Sequence, residues 1–399
     1  MLAFWSITIF DAFRGQPMKF LMVFAFVFAA CADVAPVDGT VRCNPTGKAC
    51  PDNYQCAANG FCFRGSVDFD LGMTGADGGP NDLSSNTPAD LTAPPPDLTP
   101  ACGAIQVTTL SGTGAAGLVN GAGAVAQYDD PKGISIDSGG TLFIADNGNK
   151  VVRKVLADGT ASTYAGGGSG AQAFLTSYRV AAGNFGQVYM VDEANDNVQS
   201  ITSGGVASNL FNQGAVISLA LDPNTGAIYN AITCGNITKW QGALPLVDFT
   251  GKNSSCAFMD GAAAVAQFSN PVDIQFDNGF LYVADNGNFR IRKVDSNGTA
   301  STLAGSTKGH TDAQGGSAQF DSPTGIAVDP QSHTVYVADN TTIRVVTQSG
   351  DVTTLAGSTS AFTNGNACVA KFGRLDGIAF FAGALYAVDI NRIRKIQLP

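Results

Sequence analysis

A four-strand sequence unit recurs six times between about residues 105 and 399, and this repeat limits the possible folds more than any other feature. Each unit has four short runs typical of β-strands, and the first two are almost entirely apolar, as expected for strands buried on both faces. The second run ends in an aspartate in five units and has Ala231 in the sixth. These aspartates are Asp146, Asp192, Asp285, Asp339 and Asp389. Four strands at this period predict the blades of a β-propeller.

The two ends of the repeat predict how the ring closes. The last unit stops after its third strand at residues 392–396, whereas residues 107–110 match a fourth strand and have no unit before them. Pairing these two strands would complete six blades and leave no open sheet edge. We therefore predict an all-β chain whose residues 103–399 form a six-bladed propeller closed by the strand 107–110.

The blade motifs resemble the NHL repeat. The residues that carry the resemblance read PTGIAVD from Pro323, FLYVADNGN from Phe280 and RIRKV from Arg290. The connection GLVNGAGAVAQYDDPKGI from Gly117 is similar to that of a subtype found in bacterial secreted proteins and large adhesion receptors. The resemblance covers about residues 105–399 and implies the propeller fold, but a shared fold does not imply one activity.

Composition excludes two functions found among NHL-type propellers. The chain has 22 Lys and Arg against 32 Asp and Glu, a formal charge of −10, which argues against the phosphate neutralisation that nucleic-acid binding requires. The peptide-amidating lyases hold zinc with histidines from several blades. This chain has only two histidines, His310 and His333, and they do not match such a set.

The N-terminal region predicts export. Residues 18–31 read MKFLMVFAFVFAAC, a basic residue followed by an apolar run and small residues before Cys31. The end of this run resembles the lipobox of bacterial lipoproteins, with Phe28 where Leu is usual, so ordinary signal-peptidase cleavage stays open. We predict a signal peptide over 1–30, with Met18 as an alternative start, and a lipidated tether over 31–42. The expected location is the bacterial cell envelope, outer-membrane-anchored or secreted, with membrane contact through lipid only.

The cysteines that remain after Cys31 are even in number, as expected in an oxidising compartment. Residues 43–63 predict a small disulfide-rich knot with three possible pairings of Cys43, Cys50, Cys56 and Cys62. Residues 64–102 are rich in Pro and Asp and predict a linker that cannot fold alone. In the ring we expect a disulfide between Cys234 and Cys256, whose turns should share one face of the third blade. We expect Cys102 and Cys368 on opposite faces.

Polar residues recur along the blades, and most are assigned a structural role. Each repeated aspartate precedes a tight turn whose backbone N–H groups its side chain is expected to bind. Copies spread around a ring cannot converge on one metal ion. The arginines one strand later are expected to form hydrogen bonds between blades; they are Arg153, Arg292, Arg344 and Arg394.

Ligands of propellers usually meet the channel where the innermost strands begin. The candidate ligand-binding residues at this mouth are Lys132, Tyr178, Arg179, Ser218, Asp273, Thr324 and Asp376. Their two carboxylates could bind a calcium ion or a polar ligand, or neutralise the neighbouring cations. No catalytic residue and no cofactor beyond calcium is predicted. We expect a monomeric, non-catalytic binding module for a protein, peptide or glycan; the alternative is a calcium-dependent hydrolase or lyase with its site at this mouth.

Overall fold

The computed structural model describes residues 103–167, 174–176, 178–183, 186–242, 245–252 and 256–399, together with the backbone of four short strands nearer the N-terminus. The chain divides into two compact units, Met1–Leu91 and Thr92–Pro399. Apart from those four strands, the signal peptide, the lipidation site Cys31, the disulfide-rich knot and the linker lie outside the described residues. Within the described part, no helix is long and apolar enough to cross a membrane.

The first unit contains two described hairpins. Strand β1 (Thr8–Phe10) pairs with β2 (Pro17–Lys19), and β3 (Tyr54–Cys56) pairs with β4 (Cys62–Arg64), both antiparallel. The second hairpin places the backbone of Cys56 opposite that of Cys62. The other two cysteines of the predicted knot, Cys43 and Cys50, lie outside the described residues.

The second unit is a ring of six antiparallel sheets, which confirms the predicted all-β six-bladed propeller. Its first strand is β5 (Gln106–Ser111). From the innermost strand outward, the first three blades contain β6 (Pro131–Ile136), β7 (Leu142–Asp146), β8 (Val151–Val155) and β9 (Ala161–Gly166); β10 (Arg179–Ala182), β11 (Val188–Asp192), β12 (Asn197–Ile201) and β13 (Ala207–Asn212); and β14 (Val216–Leu221), β15 (Ile228–Ile232), β16 (Ile237–Trp240) and β17 (Val247–Thr250).

The fourth and fifth blades repeat this order, and the sixth takes its outer strands from both ends of the ring. The fourth blade contains β18 (Pro271–Asp277), β19 (Phe280–Asp285), β20 (Arg290–Val294) and β21 (Ala300–Gly305). The fifth contains β22 (Pro323–Val328), β23 (Val335–Asp339), β24 (Thr342–Val346) and β25 (Val352–Gly357). Besides β5, the sixth contains, in chain order, β26 (Gly365–Asn366), β27 (Leu375–Phe381), β28 (Ala384–Asp389) and β29 (Arg392–Gln397). Short 3₁₀ turns lie at Glu193–Asn195, Asn286–Asn288 and Gly315–Ser317.

The sixth blade closes the ring by pairing β5 with β29, and Val107 lies opposite Ile396. The two-residue strand β26 adds a fifth strand outside β5, which the sequence pattern does not show. The connection that follows β26 folds back, so the Ala367 amide donates to the Ile105 carbonyl at 3.0 Å. The connection that carries Cys368 therefore lies beside the start of β5, whereas Cys102, which we expect on the opposite face, lies outside the described residues. Cys368 is itself disulfide-bonded.

The core lies between the blades. Five of six apolar clusters combine residues from two adjacent sheets, and the sixth also includes Ile217 from a third sheet. Every residue of β7 and of β23 is buried because both faces of a blade pack against neighbours. This double burial explains why the second strand of each repeat is almost wholly apolar.

The repeated aspartates are structural, but they bind a different segment from the one expected. In the fourth blade, Asp285 Oδ1 accepts the backbone N–H of Ser269 at 2.8 Å, on the connection that enters the blade. Its Oδ2 accepts from the side chain of Asn288 at 2.9 Å and from Arg292 at 2.8 Å. The Asp285 carboxylate points back toward the connection that enters the blade. It therefore does not form the expected hydrogen bonds with backbone N–H groups of the following turn. Burial raises the pKa of Asp285, although these donors oppose it.

The paired arginine supports the predicted inter-blade role. The Arg292 side chain is fully buried and donates to the carbonyls of Gln267 and Met259, on the connection from the third blade. Its guanidinium also lies 4.8 Å from the centre of the Phe268 ring. Equivalent buried Asp and Arg pairs occur in the first, fifth and sixth blades.

The third blade, which has Ala231 where the others have Asp, carries the predicted disulfide. Cys234 and Cys256 are bonded, with their Cα atoms 4.6 Å apart and a sequence separation of 22. Cys234 forms a backbone bridge with Ser269, and Cys256 forms one with Phe268. The disulfide therefore covers the connection into the fourth blade.

Candidate functional site: the central channel

One layer of residues sets the width of the channel near the start of the innermost strands. Its members occupy equivalent positions in the six strands and are Gly133, Arg179, Ser218, Asp273, Gly325 and Gly377. A Cβ atom on Gly325 would lie 3.0 Å from the Cα of Gly377. A Cβ on Gly377 would lie 2.7 Å from the carbonyl oxygen of Lys132. Glycine thus allows three strands to approach closely, and the other three contribute polar side chains.

Arg179 crosses the channel from the second blade. Its Nε donates to the carbonyl of Val272 at 3.1 Å, and its Nη2 donates to the carbonyls of Thr324 at 2.7 Å and Asp376 at 3.1 Å. These three acceptors belong to the fourth, fifth and sixth blades. Only 5% of Arg179 is exposed. The guanidinium therefore closes the channel at the end where the inner strands begin.

Asp273 and Ser218 link the strands β14, β18 and β22 in the same layer. The Ser218 hydroxyl donates to Asp273 Oδ1 at 3.1 Å and accepts the N–H of Ile274 at 3.2 Å. Asp273 Oδ2 accepts the N–H of Ile326 at 2.9 Å. Burial raises the pKa of Asp273, while the Arg179 guanidinium, whose Nε lies 3.5 Å from Oδ1, opposes this rise.

The rest of the predicted mouth forms an ion-pair cluster. Lys132 Nζ lies 2.9 Å from Asp130 and 3.7 Å from Asp376, and Arg374 Nη2 lies 2.9 Å and 2.7 Å from the same two carboxylates. Burial disfavours ionisation of Asp130, but Lys132 and Arg374 outweigh it and lower its pKa. Asp130 and Arg374 were missed from sequence because they precede the strands by one residue.

The last two predicted residues are also engaged at this mouth. The Thr324 hydroxyl donates to the Leu375 carbonyl at 2.8 Å, and the Tyr178 ring lies 5.3 Å from the Arg179 guanidinium. The structure therefore brings the predicted mouth residues together and satisfies their charges internally. In the described part of the ring, no group of three or more His, Cys, Asp or Glu side chains is arranged to hold a metal ion.

Beyond this layer the channel widens into a cavity of about 540 Å³. All six innermost strands line it, and Asp273 lies at its closed end. The turns between the first and second strands of several blades form its open end, with lining residues Pro223, Asn278, Pro330 and His333. We call the side of the ring formed by these turns the turn face. The sequence placed the site at the opposite end.

Two phenylalanines line the cavity near the turn face. Phe276 stacks on Tyr229 with ring centres 5.6 Å apart, and Phe380 stacks on Tyr336 at 5.9 Å. Each tyrosine belongs to the blade before its phenylalanine, so the stacks cross the blade boundaries. They fix the two phenylalanine rings at the cavity wall.

A histidine and an aspartate from adjacent blades meet at the same opening. His333 Nδ1 lies 2.7 Å from Asp277 Oδ2, and we call these two residues the rim pair. His333 adopts a left-handed backbone conformation, with φ of 56°, in the turn between β22 and β23. Sequence reasoning missed the pair because 56 residues separate its members.

Asp277 differs from its counterparts at the ends of other inner strands. Asp137, Asp222 and Asp329 each accept backbone N–H bonds from their own turn. The Asp277 side chain instead bonds to His333 of the next blade. The rim pair is thus a departure from the repeat.

Further polar groups hold the rim pair from outside the cavity. The Gln348 side chain donates to the His333 carbonyl at 2.5 Å and accepts from Lys293 at 2.7 Å and from the Tyr282 hydroxyl at 3.0 Å. Burial lowers the pKa of Lys293, and the charge of Asp277 opposes this. Burial also raises the pKa of Tyr282. These contacts anchor the turn that carries His333.

Comparison with known proteins gives the fold and limited sequence similarity. No family model matches the chain. A stretch of 220 residues is 29% identical to Teneurin-3 of Danio rerio and covers 45% of this chain but 8% of that protein. The chain therefore corresponds to a small part of that relative.

Solved structures share the propeller. A protein of unknown function from Bacteroides thetaiotaomicron has a TM-score of 0.63 and 19% identity, over 74% of this chain and 76% of its own. An auxiliary nutrient binding protein from the same organism has a TM-score of 0.61 and 18% identity, over 73% and 76%. Virginiamycin B lyase from Staphylococcus aureus has a TM-score of 0.50 and 14% identity, over 74% and 100%. At these identities the similarity shows the fold alone.

Proposed function

We propose that the protein is an exported, surface-anchored binding module whose propeller holds a ligand in the central cavity. The observation that carries the proposal is the cavity itself, which all six blades line, Arg179 closes at one end and the turn face leaves open at the other. Its volume of about 540 Å³ lies within the range usual for small-molecule sites. A neighbour that is an auxiliary nutrient binding protein supports the same kind of role.

The contacts at the opposite mouth favour a structural role for the residues there. Lys132 and Arg374 already neutralise Asp130 and Asp376, and Asp273 already accepts two hydrogen bonds. A calcium ion used by a hydrolase or lyase would have to displace these donors. We therefore place the ligand at the turn face and keep ligand binding by the mouth residues as a prediction of the sequence.

Two features support export. The disulfide between Cys234 and Cys256 is the kind of bond that persists in an oxidising compartment. The sequence before Cys31 has the layout of a lipoprotein signal. Mass spectrometry of the mature N-terminus tests this part: a diacylated Cys31 supports anchoring, and a free amino terminus at Ala32 or later contradicts it.

Ligand binding is tested by blocking the cavity. The full chain is screened by thermal shift against a library of small saccharides, amines and carboxylates. Gln275 lines the cavity and Gln331 does not, so Gln275→Trp should abolish any stabilising hit while Gln331→Trp, in an exposed turn, should leave it unchanged. A hit that survives Gln275→Trp, or a screen with no hits, overturns the proposal.

A further inference from the structure

We infer that the rim pair is an acceptor site for ligand hydroxyl groups, and that the cavity takes a neutral, hydroxyl-rich ligand of the saccharide class. This inference rests on the proposed function and names the ligand of the same site. A hydrogen bond joins His333 to Asp277. An ionised carboxylate only accepts, so the hydrogen of the 2.7 Å contact resides on Nδ1.

The state of the second imidazole nitrogen follows from the first. In a neutral imidazole one nitrogen carries the hydrogen, so Nε2 of His333 is left as an acceptor. The His333 side chain is 35% exposed and lines the cavity opening. Asp277 Oδ2 accepts the hydrogen bond from His333 Nδ1. The backbone N–H groups of the turn after Asp277 do not bond to its other oxygen, unlike the N–H groups that follow Asp137 and Asp329. The rim pair thus offers acceptors to a ligand.

Most lining side chains are apolar, and the polar ones besides the rim pair are uncharged except for Asp273. Gln275, Asn224 and Asn278 supply amide groups, and the described residues that line the cavity include neither Lys nor Arg. Both lining carboxylates already have a partner, since Asp273 lies beside Arg179 and Asp277 is bonded to His333. The lining therefore attracts hydroxyl donors more than anions and has no unpaired carboxylate that requires a cation.

The two stacked phenylalanines provide the apolar part of such a site. Phe276 and Phe380 lie near the same opening, each fixed by a tyrosine. Aromatic surface next to hydrogen-bonding groups suits a sugar ring, which has apolar C–H faces and polar edges. A simple amine would use the carboxylates but leave most of the acceptors unmet.

The charged groups around His333 come from three neighbouring elements. Asp277 ends β18, Lys293 lies on β20 and is bonded to Gln348, and Asp329 belongs to the turn of His333 itself. Tyr282 on β19 bonds to the same Gln348. None of these neighbouring groups is bonded to Nε2 of His333, so this nitrogen stays available at the cavity opening.

The test uses the full chain labelled with ¹⁵N-histidine, whose two histidines give separate signals. His310, with 59% of its side chain exposed, is the internal control. We expect the neutral imidazole of His333 to carry its hydrogen on Nδ1, and a neutral saccharide hit to shift its Nε2 signal and leave that of His310 in place. The opposite tautomer of His333 would overturn the inference.

Variants then separate this inference from the proposed function. His333→Phe should weaken binding of the saccharide hit about tenfold or more, His333→Gln should restore part of it through an amide acceptor, and His310→Phe should have no effect. If the Gln275→Trp-sensitive hits are all amines or carboxylates, or if His333→Phe binds normally, the inference fails while the binding module stands. If no compound binds, both fail.

Discussion

Arg179 in the second blade donates a hydrogen bond to the carbonyl of Thr324 in the fifth blade, 2.7 Å away across the centre of the ring. With its bonds to Val272 and Asp376, this one side chain joins four of the six blades at the channel. Arg179 therefore both blocks the channel at this end and holds the blades together. The same contact lies across the channel at the end opposite the turn face.

Replacing Arg179 should cost far more stability than replacing a surface arginine at the same mouth. Arg179→Met leaves three buried carbonyls without their donor and Asp273 without its cation, a loss of about 3 kcal/mol or more. Arg374→Met, at a side chain 48% exposed, should cost about 1 kcal/mol or less. Urea denaturation measures both. Equal losses would show that Arg179 does not brace the ring.

The closing strand gives a second prediction. Val107 is fully buried in β5, opposite Ile396, so Val107→Ala should destabilise the ring by about 1 to 3 kcal/mol. The matched control is Val206→Ala, at a residue with 56% of its surface exposed. This variant should change the free energy of unfolding by about 0.5 kcal/mol or less.

Removal of the whole strand tests closure more directly. Deleting residues 106–111 should expose the edge of β29 and promote association between chains. Size-exclusion chromatography and thermal melting report the two effects. A monomer with an unchanged melting temperature would contradict closure by this strand.

The sequence predicts the ring well because each strand of a blade can be identified from a short run of neighbouring residues. Runs such as residues 335–339 identify a doubly buried strand by themselves, and the unpaired run at 107–110 identifies the closing partner. The open end of the channel was not predictable in this way. It depends on Arg179 reaching three other blades and on Asp277 meeting His333, and neither contact leaves a periodic signal.

The disulfide gives a third prediction. The bond between Cys234 and Cys256 closes a loop of about 22 residues, which is worth roughly 3 kcal/mol in the chain-entropy estimate. Cys234→Ser, Cys256→Ser and the double variant should therefore lose similar amounts of stability, since each removes the same bond. A double variant that loses the sum of the two single losses would show that the cysteines act separately. Non-reducing peptide mapping of the parent chain should yield the linked peptide.

The buried pair of Asp285 and Arg292 predicts a pH-dependent loss. Burial raises the folded-state pKa of Asp285, and removing Arg292 takes away an opposing charge and raises it further. A carboxyl whose folded pKa lies above its unfolded value contributes most to stability at low pH, and this contribution is lost as pH rises through the folded pKa. Arg292→Met should therefore lose about 3 to 5 kcal/mol near pH 8 and clearly less near pH 5.

Arg290 supplies the control for this prediction because it lies on the same strand and its side chain donates to the Asn288 carbonyl rather than to Asp285. Arg290→Met should lose about 1 kcal/mol or less, with little change between the two pH values. Urea denaturation of both variants and the parent at each pH gives the comparison. An equal loss of unfolding free energy for Arg292→Met at both pH values would mean that Asp285 does not carry the buried charge. The stability that Arg292 contributes would then come from its bonds to the carbonyls of the incoming connection.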